Sequence, residues 1–235
     1  MNQNQVSASD VQAIFNRLAP MYDELNQSLS FGLHRVWKLM TVKWCQPKAG
    51  DLGLDVCCGT GDLAQRLAQR VGKTGKVIGL DFSAELLAIA KQRATQNTPH
   101  LPLEWIEGDA LNLPFDAQTF DCATMGYGLR NVIDIPQSLK ELYRVLKPSA
   151  KVAILDFHRP NQPLIRSFQQ WYLDQIVVKE AKRFDLTDEY AYISPSVDHF
   201  PIGTEQIKLG YQVKFSHAVH YPLASGLMGV LVLTK

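Results

Sequence analysis

The run Leu54-Asp55-Val56-Cys57-Cys58-Gly59-Thr60-Gly61-Asp62-Leu63 concentrates the residue types that can hold a ligand. An apolar strand enters a turn with glycines two apart, and an apolar helix opens beyond it. Glycine lets a backbone approach a ligand closely and tolerates positive φ, and a helix N-terminus offers free N–H groups to a carboxylate or phosphate. About twenty residues on, Asp81 ends a second apolar run, where an acid can take both hydroxyls of a ribose. Two ligands fit: a dinucleotide, since Ala64 completes G-x-G-x-x-A, or S-adenosylmethionine. Asp55 and Asp62 add negative charge around the turn, which favours a sulfonium and ammonium ligand over a pyrophosphate. A tight turn with no ligand is the plain alternative, and Asp81 in register argues against it. Glu107-Gly108-Asp109-Ala110, followed by an apolar run to Phe115, suits an adenine that needs an acceptor for its amino group and apolar cover for its faces.

These residues need a scaffold of short strands and helices. Strands are predicted at Leu52–Cys57, Lys76–Leu80, Leu103–Glu107, Asp121–Met125 and Lys151–Phe157. Between them lie a helix marked by Leu63, Leu67, Ala68 and Val71, one over Ala84–Ala94 capped by Ser83, and one over Gln137–Leu146. Strand alternating with helix over short connections predicts a parallel, doubly wound α/β sheet. Ahead of it, Asp10 caps a segment stopped by Pro20, and a second helix runs from His34 to about Cys45. After Pro160 the pattern predicts a long helix from Pro163 to about Lys182, an irregular stretch over Arg183–Ser196, and a helix over Thr204–Leu209 ended by Gly210. Two last strands, near Tyr211–His217 and Leu227–Leu233, are expected to pair antiparallel at the sheet edge.

Composition narrows the function classes. The 235 residues carry 24 basic and 23 acidic side chains, a net charge of +1, without the basic excess of a general nucleic-acid binder. Four cysteines (Cys45, Cys57, Cys58, Cys122) have neither C-x-x-C spacing nor the density of a disulfide scaffold, which points to a reducing compartment. No basic-then-apolar leader and no bilayer-spanning run is visible, so a cytoplasmic protein is expected.

The three ligand-facing elements, in order, resemble the class I S-adenosylmethionine-dependent methyltransferases. Tyr22-Asp23-x-x-Asn26, Phe31-Gly32-Leu33-His34-Arg35-x-Trp37-Lys38, Gly128-Leu129-Arg130-Asn131-Val132 and Arg144-Val145-Leu146-Lys147-Pro148 narrow this further. Together they resemble the ubiquinone/menaquinone C-methyltransferase family, which methylates a ring carbon of a prenylated quinol. Trp171-Tyr172-Leu173, Glu189-Tyr190-Ala191-Tyr192-Ile193 and His220-Tyr221-Pro222 are most similar to its branch acting on 2-phytyl-1,4-naphthoquinol. The resemblance implies a Rossmann-like sheet over residues 51–235, with a helical insertion at about 160–200 and a helical lid over 1–50. It places S-adenosylmethionine contacts on Gly59, Thr60 and Gly61, on Asp81, on Asp109 and Ala110, and on Gly126, with no metal. Two departures stand out: Cys57-Cys58 where the family favours small residues, and Pro148-Ser149-Ala150 where it has Pro-Gly-Gly.

Methyl transfer to carbon needs an electron-rich ring, so the quinol rather than the quinone must react after losing a hydroxyl proton. Arg130 and Asn131, after the fourth strand, are expected to hold the oxyanion and fix a hydroxyl or water. His158 is the candidate base, because its ordinary pKa suits proton transfer near neutrality. Tyr22 and Asp23 are expected to close over the sulfonium. Arg35, Lys38 and Lys43 near Trp37 and Trp44 suit a peripheral membrane contact. The helix from Pro163 walls a channel for the substrate tail or forms a homodimer face. A nicotinamide oxidoreductase and a non-catalytic binding protein on the same fold are the rival readings.

Overall fold

The computed structural model describes residues 12–14, 16, 17, 30, 32–160, 162–173, 175 and 193–235. Seven strands form one sheet: β1 (Leu52–Val56), β2 (Lys76–Asp81), β3 (Leu103–Glu107), β4 (Phe120–Gly126), β5 (Leu146–Phe157), β6 (His217–Leu223) and β7 (Met228–Thr234). Their order is β3-β2-β1-β4-β5-β7-β6. The pairs from β3 through β5 are parallel, and β7 runs antiparallel to both β5 and β6. The strand order reverses between β1 and β4, which opens a crevice at their carboxyl ends. The expected doubly wound sheet with a C-terminal antiparallel hairpin is what forms.

The sheet is accompanied by helices α1 (His34–Cys45), α2 (Asp62–Val71), α3 (Ala84–Asn97), α4 (Ile135–Val145), α5 (Pro163–Tyr172), α6 (Ile193–His199) and α7 (Gly203–Gln212). Local chemistry sets their starts. Ser83 accepts a hydrogen bond from the Leu86 N–H to cap α3, and Asp134 accepts one from Gln137 N–H to cap α4. Leu63, Leu67 and Val71, one face of α2, bury against Val77 and Cys122 on one side of the sheet. Leu139, Leu142 and Val145 of α4 bury with Leu54, Met125 and Ile154 on the other.

Three expectations need correction. Gly210 does not stop α7; it lies inside the helix because a Cβ there would stand 2.6 Å from Leu233 Cδ2, so glycine permits close packing on β7. Tyr211 and Gln212 therefore continue α7, and β6 begins only at His217. The stretch expected to be irregular up to Ser196 contains the start of α6. The second half of the helix predicted from Pro163 lies outside the described residues. Pro148-Ser149-Ala150 runs inside β5, with Ser149 at φ 67°, a conformation that glycine would adopt without strain.

Candidate active site

The turn after β1 has three positive-φ residues, Cys57 (53°), Gly59 (54°) and Gly61 (80°). Gly61 must be glycine for a second reason: a Cβ would lie 2.5 Å from the Trp105 ring of β3. Gly79 of β2 makes room for the same ring. The turn is thus pressed between α2 and a tryptophan two strands away. Asp81 secures it from β2: Oδ2 accepts from Gly59 N–H at 2.8 Å and Oδ1 from Ser83 N–H at 3.0 Å. Burial pushes the Asp81 carboxyl above its usual range, against the backbone donors that favour its charge. The N-terminal helical segment docks beside it. Ser83 Oγ donates to Asn16 Oδ1 at 2.6 Å, and Gln12 Nε2 donates to the Phe82 carbonyl.

The electrostatics of the turn differ from the sequence expectation. Burial would raise the pKa of Asp62, but contacts from Lys38 Nζ at 2.8 Å and Arg66 Nε at 2.9 Å outweigh it and hold the carboxyl below its usual range. Its charge is neutralised locally, so it cannot repel a pyrophosphate as supposed. Lys38 is correspondingly buried, not offered to a membrane. Trp44 stacks on Tyr221 at 4.5 Å, and Trp37 packs against the core, so neither tryptophan is an outer anchor.

Asp55 is fully buried; its Oδ1 accepts from Thr124 Oγ1 at 2.8 Å while Oδ2 has no partner. Burial pushes its pKa up to about 7. An unfolded-chain aspartate titrates near ~3.9, so the folded protein holds an extra proton between those values. The associated stability is present below the unfolded pKa and is lost as pH rises through the folded one. Urea unfolding should therefore show stability falling by up to about 4 kcal/mol between about pH 4 and pH 8 from this group, and Asp55→Asn should remove that part of the slope. An unchanged slope in the variant would assign the pH dependence elsewhere.

The crevice wall opposite Asp81 is the loop Tyr127–Val132, which includes a short 3-10 turn at Leu129–Asn131. Gly128 lets this loop press on the glycine turn, since a Cβ there would meet Cys57 Cβ at 2.6 Å. Arg130 points away from the crevice. Its Nη1 donates to Asp156 Oδ1 at 2.7 Å, its Nε to Ser196 Oγ at 3.2 Å, its backbone N–H to Asp156 Oδ2 at 3.1 Å, and its guanidinium lies 4.9 Å over the Phe157 ring. Asn131 faces the crevice. Its Nδ2 donates to the Tyr127 carbonyl at 2.8 Å, which fixes the amide, and its buried Oδ1 has no partner.

These geometries coincide with a full-length sequence match. Residues 2–235 match the model of the ubiE/COQ5 methyltransferase family. The chain belongs to this family. A protein from Trichormus variabilis named 2-phytyl-1,4-naphtoquinone methyltransferase is 60% identical over 227 residues, covering 97% of this chain and 99% of its own. One from Arabidopsis thaliana, named 2-phytyl-1,4-beta-naphthoquinone methyltransferase, chloroplastic, is 49% identical over 97% of this chain and 88% of its own. A solved SAM-dependent methyltransferase from Thermotoga maritima shares the fold, with a TM-score of 0.67 at 21% identity, covering 95% of this chain and 99% of its own.

As a ubiE/COQ5 methyltransferase the protein uses S-adenosylmethionine, and the crevice suits it. Asp81 presents a buried carboxylate at the β2 end, and Asp109 and Ala110 line the wall after β3, with Asp109 Oδ1 accepting from Leu111 N–H at 2.9 Å. Leu80, Leu86 and Val132 supply apolar cover for a base. Of the cofactor positions expected from sequence, Gly59, Asp81, Asp109, Ala110 and Gly126 line the crevice. Thr60 and Gly61 are not among its lining residues; Thr60 is buried and Gly61 precedes α2, and both shape the turn from behind.

The expected catalytic group divides. Only Asn131 lines the crevice, and Tyr22 and Asp23 lie outside the described residues. His158 is committed elsewhere: Nδ1 meets the Gly226 carbonyl at 3.0 Å and Nε2 accepts from Gly203 N–H at 3.2 Å. With the proton on Nδ1, no ring lone pair remains for a substrate proton, and burial lowers its pKa. Cys57 and Leu111 also line the crevice, as do Phe82, Tyr127 and Ile133, which were not singled out from sequence. The doublet Gly126-Tyr127-Gly128 after an apolar strand was the available signal for Tyr127. Among the described residues no cluster of His, Cys, Asp and Glu could hold a metal, and no helix is long and apolar enough to cross a membrane.

Proposed function

We propose that this protein transfers the methyl group of S-adenosylmethionine to a ring carbon of a reduced, prenylated naphthoquinol, with 2-phytyl-1,4-naphthoquinol as the substrate. The carrying observation is the near full-length identity to relatives named for that ring and tail. The crevice supports it: apart from Asp81 and Asp109 it is lined mainly by apolar side chains and backbone, and its buried Asn131 Oδ1 lacks a donor. A quinol hydroxyl supplies such a donor, whereas a quinone offers acceptors only.

S-adenosylmethionine, when bound, supplies an electrophilic methyl group on a sulfonium. Asp81, Asp109 and Ala110 hold the nucleoside, and Gly59 and Gly126 let the backbone approach it closely. Asn131 Oδ1 accepts the hydroxyl of the quinol and orients the ring. The apolar walls exclude bulk water, and one retained water takes the phenolic proton, since His158 has no lone pair to spare. With the cofactor bound, its methyl group would pass to the ring carbon with S-adenosylhomocysteine as the leaving group; the ring carbon would give up its own hydrogen as a proton while the phenolic oxygen takes back the one lent to the water, so that one proton is released in all. Arg130 serves this chemistry as a positioning residue that holds Asn131 in the crevice wall.

Replacing Asn131 by Leu should lower kcat on the reduced naphthoquinol by about 10–100-fold with S-adenosylhomocysteine affinity unchanged. Stopped-time product analysis with calorimetry separates the two effects, and an unaltered kcat would remove Asn131 from substrate contact. The function itself is tested by mass spectrometry of products from a panel of reduced prenyl-naphthoquinols and benzoquinols. Methylation confined to benzoquinols would replace the naphthoquinol reading, and thermal stabilisation by NAD but not by S-adenosylhomocysteine would replace methyl transfer altogether.

A further inference from the structure

Three exposed apolar groups come from elements at the carboxyl edge of the sheet, where the crevice opens. Ile133, on the crevice wall after β4, is 62% exposed. Leu164, Phe168 and Trp171 recur at four and three along α5, the helix that follows the carboxyl end of β5, and Leu164 is 86% exposed. Leu33, Val36 and Leu39 form an exposed row at the start of α1. That end of α1 belongs to the same edge, because Lys38 reaches Asp62 in the first turn of α2, just beyond β1. α5 is tied to that edge in turn, since Gln169 Nε2 donates to the His158 carbonyl at 2.9 Å.

Neither helix contains an acidic residue, and Arg35, in the first turn of α1, and Arg166, on α5, are exposed at this edge. Arg166 meets Asp198 at 3.5 Å, across two well-exposed side chains. Large apolar side chains beside basic ones suit the headgroup and upper acyl layer of an anionic bilayer. A second copy seated on this edge would cover the crevice mouth that a long-tailed substrate must enter. We propose that the carboxyl edge of the sheet, through α1, α5 and Ile133, rests on an anionic membrane surface with the crevice mouth turned towards the lipid. The inference rests on the prenyl-quinol reading for its purpose and on the exposed side chains for its geometry.

Co-sedimentation with vesicles of phosphatidylglycerol and phosphatidylcholine, against phosphatidylcholine alone, tests it. The protein should partition onto the anionic vesicles, less so at high salt. Leu164→Ser with Phe168→Ser, and separately Val36→Ser with Leu39→Ser, should each lower partitioning about tenfold. Both variants should keep the parent rate on a short-tailed, water-soluble naphthoquinol. Equal partitioning of parent and variants overturns the proposal. So does a parent dimer in sedimentation velocity that these substitutions convert to monomer, which assigns the faces to a second copy. Methylation of soluble quinol without vesicle binding removes the membrane surface alone, whereas vesicle binding without methylation of any quinol removes the substrate reading alone.

Discussion

Arg130→Met should destabilise the protein by about 3–5 kcal/mol in urea unfolding, because it strands a buried carboxylate. Both partners of the Arg130–Asp156 pair are nearly inaccessible, with side chains 6% and 4% exposed. Asp156 accepts from Arg130 Nη1, from the Arg130 backbone and from Phe157 N–H, so its charge depends on one cation with these bonds in place. Activity should fall about 100-fold as the loop that carries Asn131 loosens. Arg130→Lys should recover little, since an ammonium cannot reach Asp156 and Ser196 together while stacking on Phe157. The double variant Arg130→Met, Asp156→Asn separates positioning from contact. It removes the stranded charge, so stability should return by more than half of the loss. A positioning role predicts that kcat recovers in parallel, with KM for the quinol still raised. A stable double variant with kcat as low as the single one would instead put the guanidinium on the reacting oxygen.

Asp81→Ala should weaken binding of S-adenosylmethionine by about 10²-fold or more, as two hydrogen bonds to a charged acceptor are lost at ~1.5–3 kcal/mol each. Calorimetry with S-adenosylhomocysteine measures it directly. Part of the loss comes from the protein itself, because Asp81 also anchors Gly59 and Ser83. Asp81→Asn distinguishes the contributions. One amide oxygen can still accept from one backbone N–H, so the turn keeps half of its anchor while the ribose faces a neutral group. Intermediate affinity is expected for Asn, with a melting temperature closer to the parent than that of Ala. Unchanged affinity in both variants would move the ribose contact off β2.

The parallel strands were legible because a buried strand reads as a short apolar run bounded by glycine and polar residues, and β3 emerged with its ends as expected. The last two strands were less so. Gly210 has the local appearance of a helix stop, and only the approach of Leu233 from β7 shows why it is a helix interior. Lys38 illustrates the same limit. Beside Arg35, Trp37 and Lys43 it reads as surface charge, yet its partner Asp62 lies 24 residues on, at the glycine turn after β1.

Sequence by itself determined the family, the doubly wound sheet and, among the positions that line the crevice, Gly59, Asp81, Asp109, Ala110 and Gly126. Those are local properties: a strand, a glycine turn and an acid at the next strand end occupy fixed places once the βαβ unit forms. Tertiary structure decided which chemistry each side chain near the reacting end is able to perform. Arg130 and Asn131 are adjacent on one 3-10 turn, and their directions diverge because Asp156, on β5, captures the guanidinium while the Tyr127 carbonyl turns the amide towards the crevice. His158 has the pKa of a base in isolation and loses that role to Gly203 and Gly226, which no spacing near His158 reveals. Burial, not residue type, brought Asp55 to about 7. Charge and direction are properties of the packed neighbourhood, and that neighbourhood is assembled from segments far apart in the chain.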